Sequence, residues 1–272
     1  MIRNRFAPLL IATSGLIVEP TLAEEARQEP STEELAKAAQ NPVANLISIP
    51  FQNNTNFGYG PANDKTQNIL NIQPVVPIHV AEDWNLITRT IFPLVWQPSF
   101  ATSDTTFGMG SVTFTAFVSP AKPGEIIWGL GPVATFPATS SAVGSTNTWG
   151  LGPSAVALTI QGPWVAGVLV NNVWSVAGAK ANNLLIQYFV NYNFGKTGWY
   201  LTTSPIITAN WEAAANQQWV VPFGAGAGKL VRLGKLPLNI NLSAYYNAVQ
   251  PTIGPQWQLR AQVAVLLPTS IF

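Results

Sequence analysis

The chain has no cysteine and a single histidine. Disulfides and thiolate metal sites are therefore excluded, and a histidine-rich metal site cannot be built within one chain. Charge is the second scarcity. Only 9% of residues are Asp, Glu, Lys or Arg, whereas soluble domains carry roughly a quarter. The net charge of +1 gives no reason to expect nucleic acid or an acidic partner. The third absence is a long apolar run. Nowhere do about 18 uncharged apolar residues follow one another, so no membrane-spanning helix is expected. A chain that is 47% hydrophobic with so little charge and no such helix has two options. It is a secreted domain with an apolar surface or a transmembrane β-barrel.

What is present decides between them. From Leu184 to Phe194, Ile186, Tyr188, Val190, Tyr192 and Phe194 alternate with Gln187, Phe189, Asn191 and Asn193. From Asn239 to Ala248, Ile240, Leu242, Ala244 and Tyr246 alternate with Asn239, Asn241, Ser243, Tyr245 and Asn247. From Gln256 to Leu267, Trp257, Leu259, Ala261, Val263, Val265 and Leu267 alternate with Gln256, Gln258, Arg260 and Gln262. Period two gives each strand one apolar and one polar face. A soluble sandwich shows the same period, so the tryptophans and the missing charge carry the choice. An all-β fold follows: a transmembrane antiparallel β-barrel of about 12 strands with a short N-terminal helical segment.

Residues 1–23 read as a secretory signal. Arg3 and Arg5 precede a short apolar stretch from Phe6 to Val18, and Thr21-Leu22-Ala23 is a small-residue cleavage site. Export of a β-rich apolar chain points to the bacterial outer membrane of a Gram-negative cell. Residues 24–45 are acidic, and Ser31 with Glu34 is a capping-box signature for a helix from about Thr32 to Gln40. Asn41-Pro42 stops it. This segment is expected to be a periplasmic tail, with a plug in the pore mouth as the narrower alternative. The barrel occupies 46–272.

The expected strands are 46–57, 67–80, 85–97, 107–120, 125–138, 150–161, 164–177, 184–195, 199–212, 219–233, 238–249 and 256–268. Tight turns at Glu82-Asp83, Lys122-Pro123-Gly124, Gly162-Pro163, Gly195 to Gly198 and Gly234-Lys235 alternate with longer polar loops. Short periplasmic turns and long outer loops are the asymmetry of outer-membrane barrels. Trp84, Trp128, Trp164 and Trp199 lie beside tight turns; Trp96, Trp149, Trp174, Trp211, Trp219 and Trp257 lie near the longer loops. Indole prefers the headgroup level, so two girdles are expected. Pro74, Pro93, Pro132, Pro153, Pro205 and Pro222 fall inside these strands at similar height. Proline removes a ladder donor. The pattern predicts a belt of bulges or weakened pairing, with a kink or side opening as its consequence, and unbroken ladders there would refute it. Phe272 supplies the terminal aromatic by which barrels are recognised for assembly, with Pro268 and Ser270 departing from the usual apolar residues before it.

Several sequence words occur together. They are Asn41-Pro42-Val43-Ala44-Asn45-Leu46-Ile47-Ser48-Ile49-Pro50-Phe51-Gln52, Asn85-Leu86-Ile87-Thr88-Arg89-Thr90, Asn171-Asn172-Val173-Trp174-Ser175, Ser204-Pro205-Ile206-Ile207-Thr208-Ala209-Asn210-Trp211 and Gln256-Trp257-Gln258-Leu259-Arg260. From residue 41 onward the chain resembles a largely uncharacterised proteobacterial outer-membrane β-barrel transporter family. That family is akin to the phenol-degradation meta-pathway transporters, and some members carry the label neuromedin U. Nothing in this chain resembles a short amidated peptide hormone, so the label looks like a naming error. The resemblance implies an outer-membrane transporter or channel and supplies no functional residues.

Enzymatic chemistry is not expected. Outer-membrane phospholipases of about 12 strands use a His-x-Ser-Asn-Gly set, but His79 is followed by Val80, Ala81 and Glu82. A Ser–His mechanism needs its base within reach of the nucleophile. His79 is instead expected at the rim, paired with Glu82 or Asp83. Gly224, Gly226 and Gly228 on one face are expected to let a loop or ligand approach the wall, or to ease curvature. Gly-Leu-Gly-Pro occurs at Gly129 and again at Gly150. The expected lumen residues are Arg89, Arg260, Lys229, Arg232, Glu212, Gln187, Asn191, Asn241, Tyr245 and Gln258. Arg89 and Arg260 should share a region near the seam where first and last strands meet. Glu33 and Glu34 are drawn as partners for Lys229 or Arg232. The expected function is a channel or transporter for small organic molecules, aromatic or apolar ones included, with no cofactor. Its partners would be outer-membrane lipid, the barrel-assembly machinery and a small-molecule permeant. The alternatives are a closed structural or adhesion barrel, an outer-membrane hydrolase and a soluble secreted β-protein.

Overall fold

The structure, a computed structural model, describes residues 30–137 and 147–267. The signal segment, the start of the acidic segment, part of the loop before Trp149 and Phe272 lie outside the described residues. Fifteen ladder segments follow one helix, α1 (Thr32–Ala39). They are β1 (Ile47–Tyr59), β2 (Lys65–Ile72), β3 (Val75–Ala81), β4 (Trp84–Pro98), β5 (Thr105–Met109), β6 (Val112–Pro120), β7 (Ile126–Phe136) and β8 (Trp149–Gln161). β9 (Trp164–Ala177), β10 (Asn182–Asn193), β11 (Trp199–Thr203), β12 (Ile206–Asn210), β13 (Trp219–Leu233), β14 (Leu236–Val249) and β15 (Trp257–Leu267) complete the wall. β2 with β3, β5 with β6 and β11 with β12 each form one interrupted stave. The result is a closed barrel of 12 antiparallel staves, sealed where β1 pairs with β15. The tight turns stand at one end, as expected; Gly162, Gly195, Gly198 and Gly234 turn the chain there with positive φ.

The burial pattern is inverted relative to a soluble domain. In β14, Asn239, Ser243, Tyr245 and Asn247 are buried in the interior, while Ile240, Leu242, Ala244 and Tyr246 are exposed outside. β15 does the same, with Arg260 inside between outward Leu259 and Ala261. An apolar outer belt with a polar interior is stable only where lipid replaces water outside.

The proline belt is present, and the ladders break across it. Pro74 separates β2 from β3, and Pro205 separates β11 from β12. β5 and β6 part at Gly110, whose N–H donates to the Pro93 carbonyl at 2.9 Å. Pro132 and Pro153 face each other between β7 and β8. On their far sides pairing skips from Thr115↔Val133 to Val118↔Leu130 and from Leu151↔Trp174 to Ser154↔Asn171. Pro222 marks a register shift between β13 and β14. The freed backbone groups find partners nearby. The Gln73 N–H donates to the Pro50 carbonyl at 2.9 Å, and the Thr90 N–H to the Pro74 carbonyl at 3.0 Å. At the Ser204-Pro205 break the partners are lumen-facing side chains of β14 and β15. The Tyr245 hydroxyl accepts from the Ser204 N–H (3.3 Å), and Arg260 Nη1 donates to its carbonyl (2.7 Å).

The doubled Gly-Leu-Gly-Pro words have one shared purpose. A Cβ on Gly131 would coincide with the Ala116 carbonyl oxygen, and one on Gly152 with the Asn172 carbonyl oxygen. Both glycines lie where pairing skips, so neighbouring backbones approach there too closely for a side chain. Gly131→Ala or Gly152→Ala should each destabilise the barrel by about 1–3 kcal/mol through overpacking. Gly124→Ala, in open space, should stay within about 0.5 kcal/mol of wild type. Urea unfolding in lipid bilayers checks this; equal midpoints for all three would contradict the close approach.

Candidate permeation site

The lumen is built from inward residues of alternate positions along the staves. Two chambers stack within it. The outer one, about 520 Å³, is bordered by Ile91, Thr113, Leu169, Asn171, Val173 and Gln218 among others. The inner one, about 180 Å³, is bordered by Asn191, Tyr200, Asn239, Asn241, Tyr245 and Arg260. Gln52, Gln73, Arg89 and Gln187 border both, and so form the ring where they meet. Beyond the inner chamber stand Ala38, Ala39, Gln40, Asn41, Pro42, Ala44 and Leu46.

The polar wall is a network of uncharged amides. Gln258 donates to Asn56 (3.0 Å), Asn56 to Gln67 (3.0 Å) and Gln67 to Gln97 (2.7 Å), crossing from β15 to β4. Tyr200 donates to Asn239 at 2.9 Å. Arg260 is held by Asn54 (3.2 Å), Gln258 (3.1 Å) and the Ser204 carbonyl, and its guanidinium lies 4.8 Å from the Tyr245 ring centroid. Among the described residues, Arg89 has a single acceptor, Gln73. Arg89 and Arg260 both border the inner chamber.

The segment before β1 lies against the inner wall at the tight-turn end. Leu35 and Ala36 of α1 pack with inward-facing Leu230, Ala264 and Leu266. Val43 packs into a second apolar cluster with Ile87, Phe117, Val156, Leu158, Val165, Leu169 and Phe189. Gln40 and Asn193 exchange amide hydrogen bonds at 2.9 and 3.1 Å. Burying Leu35 alone contributes roughly 1.5–3 kcal/mol. This apolar inner patch was not anticipated. Its signal was available: Val156 to Leu158 and Val165 to Leu169 are apolar on both faces, which a water-filled barrel does not require.

Of the residues expected in the lumen, Arg89, Gln187, Asn191, Asn241, Tyr245 and Arg260 border a chamber, and Gln258 joins Arg260 to Asn56. Three differ. Lys229 lies on the outward face, because Gly228 and Leu230 hold the inward positions, and its ammonium sits 4.9 Å over the Trp199 ring. Glu212 is exposed in the turn after β12. Arg232 is exposed near the rim, outside both chambers, and donates to the Pro30 carbonyl at 2.7 Å. The drawn pairings with Glu33 and Glu34 are replaced as well: Glu33 bridges Lys37 at 2.7 Å, and Glu34 closes a capping box with Ser31. His79 pairs with Asn85 (3.0 Å) instead of Glu82 or Asp83. The glycine stripe on β13 is filled by neighbours, since a Cβ on Gly228 would collide with the Tyr200 ring and one on Gly226 with Ser243.

The expected girdle tryptophans all lie on the outer surface. Trp84 and Trp128 meet edge-on at 6.0 Å near the tight turns, where Trp164 and Trp199 are exposed. Near the longer loops Trp211 and Trp219 meet at 5.3 Å, Trp96 packs on Phe107 at 4.9 Å and Trp257 on Tyr246 at 4.8 Å. This is an outer-membrane β-barrel. The fold is shared with a solved structure, and others match more weakly. The COG4313 outer membrane channel from Pseudomonas putida F1 matches with a TM-score of 0.62 and 17% identity, over 82% of this chain and 94% of that one. Outer membrane phospholipase A from Escherichia coli matches at 0.43 and 14% identity, over 88% and 98%. LpxR from Salmonella typhimurium matches at 0.43 and 8% identity, over 80% and 99%. No family model and no curated protein matches the sequence.

One titration follows from the N-terminal segment. The Ser31 backbone N–H, and then its side chain, hold the Glu34 carboxyl below its ordinary 4.5, with Lys37 adding a smaller attraction. The folded segment favours the carboxylate. The cap's contribution is therefore complete above 4.5 and disappears as pH falls through the lowered value. NMR titration of Glu34 in the intact protein should give a midpoint below 4.5; one at or above it would contradict the cap.

Proposed function

We propose that this barrel is an outer-membrane channel for small organic molecules, aromatic or apolar ones included, with residues 24–45 acting as its periplasmic plug. The observation that carries the reading is the pair of stacked chambers meeting at Gln52, Gln73, Arg89 and Gln187, with α1 and Pro42 to Leu46 standing at the inner end. An uncharged polar wall interleaved with Ile91, Leu169 and Val173 suits weakly polar solutes better than strongly hydrated ions. The fold shared with an outer membrane channel supports the same reading. So does the resemblance of its sequence words to transporters akin to those of phenol-degradation pathways. On this reading the partners are outer-membrane lipid, the barrel-assembly machinery during insertion, and the permeant.

A hydrolytic reading has less support. His79 with Asn85 supplies the base and its orienting amide, but among the described residues no serine hydroxyl is hydrogen-bonded to that ring. Single-channel recording in planar bilayers tests the proposal, using the refolded mature protein with and without residues 24–45. The intact protein should give small, infrequent current steps. The deletion should give steps several-fold larger, because the inner end is then open. Equal currents would make the segment incidental. Silence from both folded proteins would replace the channel by a closed structural or adhesive barrel.

A further inference from the structure

Among the described residues, Arg89 and Arg260 are the only charged side chains bordering either chamber, and neither chamber is bordered by an Asp or Glu. Two like charges thus share a confined space without a protein counter-ion, an arrangement that costs free energy unless something anionic joins them. They are not equivalent. Arg260 is fixed by three hydrogen bonds and the Tyr245 ring. Among the described residues, Arg89 has one acceptor, Gln73, for a guanidinium with five N–H donors. Most of its fork is therefore unclaimed by protein, and it stands in the ring that both chambers share.

On its outer side that fork faces a mixed wall, with apolar side chains set among uncharged polar ones such as Asn71, Thr113 and Thr115. Ile91 is the next inward residue of β4, and Leu169, Val173 and Leu185 stand around the same chamber. Its volume of about 520 Å³ lies within the roughly 300–1,000 Å³ of pockets that enclose small molecules. A planar guanidinium fork matches a carboxylate in bidentate fashion. We propose that the lumen binds small amphipathic organic acids, with the carboxylate on Arg89, positioned beside Arg260, and the apolar body in the outer chamber. The proposal deepens the channel reading by naming its permeant class. The neutral amides of Gln52, Gln73 and Gln187 complete the ring. They favour a single negative charge over a multiply charged phosphate, which would need further cations.

The test uses the mature protein in lipid nanodiscs and two matched probes followed by fluorine NMR, 4-fluorobenzoate and 4-fluorobenzyl alcohol. Wild type should bind the acid about tenfold or more tightly than the alcohol, as charge-assisted hydrogen bonds require. R89Q and R260Q should each lose that preference. R89K, which keeps the charge without the fork, should weaken acid binding in part, and it decides the matter if R89Q fails to fold. Equal binding of acid and alcohol by wild type would overturn the proposal. So would R89K indistinguishable from wild type, or chloride and acetate displacing the probe as well as benzoate does. Conductance separates the two readings. Arginine-dependent acid binding in a barrel that never conducts upholds this site and refutes the channel. Conduction without arginine-dependent preference upholds the channel and refutes this site.

Discussion

A bilayer core offers no hydrogen-bond partners, so every backbone N–H and C=O in the wall must be satisfied by the protein. Closure at β1 and β15 meets that demand for most of the wall. The proline belt violates it locally, and the repairs shape the interior. At Ser204-Pro205 the missing ladder bonds are replaced by the Tyr245 hydroxyl and the Arg260 guanidinium. At the opposite side Gln73, adjacent to the Pro74 break, accepts from Arg89. Arg260 thus replaces a ladder partner at one break, and Arg89 rests on a side chain beside another.

The same accounting explains why the lumen is not uniform. Amides on β15, β1, β2 and β4 satisfy one another across the strands, so that side needs no occupant. The inner walls of β8 and β9 are apolar at the tight-turn end and cannot face water without cost. Val43 covers that patch, and Leu35 with Ala36 covers the smaller one on β13 and β15. The N-terminal segment is thus held by the apolar surface it removes from water, and aligned by the Gln40–Asn193 amide pair.

The barrel was legible because period two, turn chemistry and tryptophan placement agree. Stave boundaries and the alternation of β10, β14 and β15 follow directly from them. The proline belt was also legible, since proline acts locally on its own N–H. Contacts between distant segments were not. Glu33 and Glu34 carry the charge expected to seek Lys229 or Arg232, yet local partners at three- and four-residue spacing take them first. Lys229 was expected in the lumen, whereas parity along β13 puts it outside, where its stem lies along the apolar surface and its head over Trp199. The apolar inner patch was missed because both-sided hydrophobicity in β8 and β9 does not by itself say what covers the inner face.

The central claim is that α1 sits inside the barrel in the native membrane. The chain lacks cysteine, so introduced thiols report without background. Short bis-thiosulfonate cross-linking of a Gln40→Cys/Asn193→Cys double variant in isolated outer membranes tests the claim directly. The account predicts efficient cross-linking of this pair and none for Gln40→Cys/Asn171→Cys, whose second thiol lies in the outer chamber. Failure of the first pair to cross-link, or equal reaction of both, would mean that α1 is a free periplasmic tail.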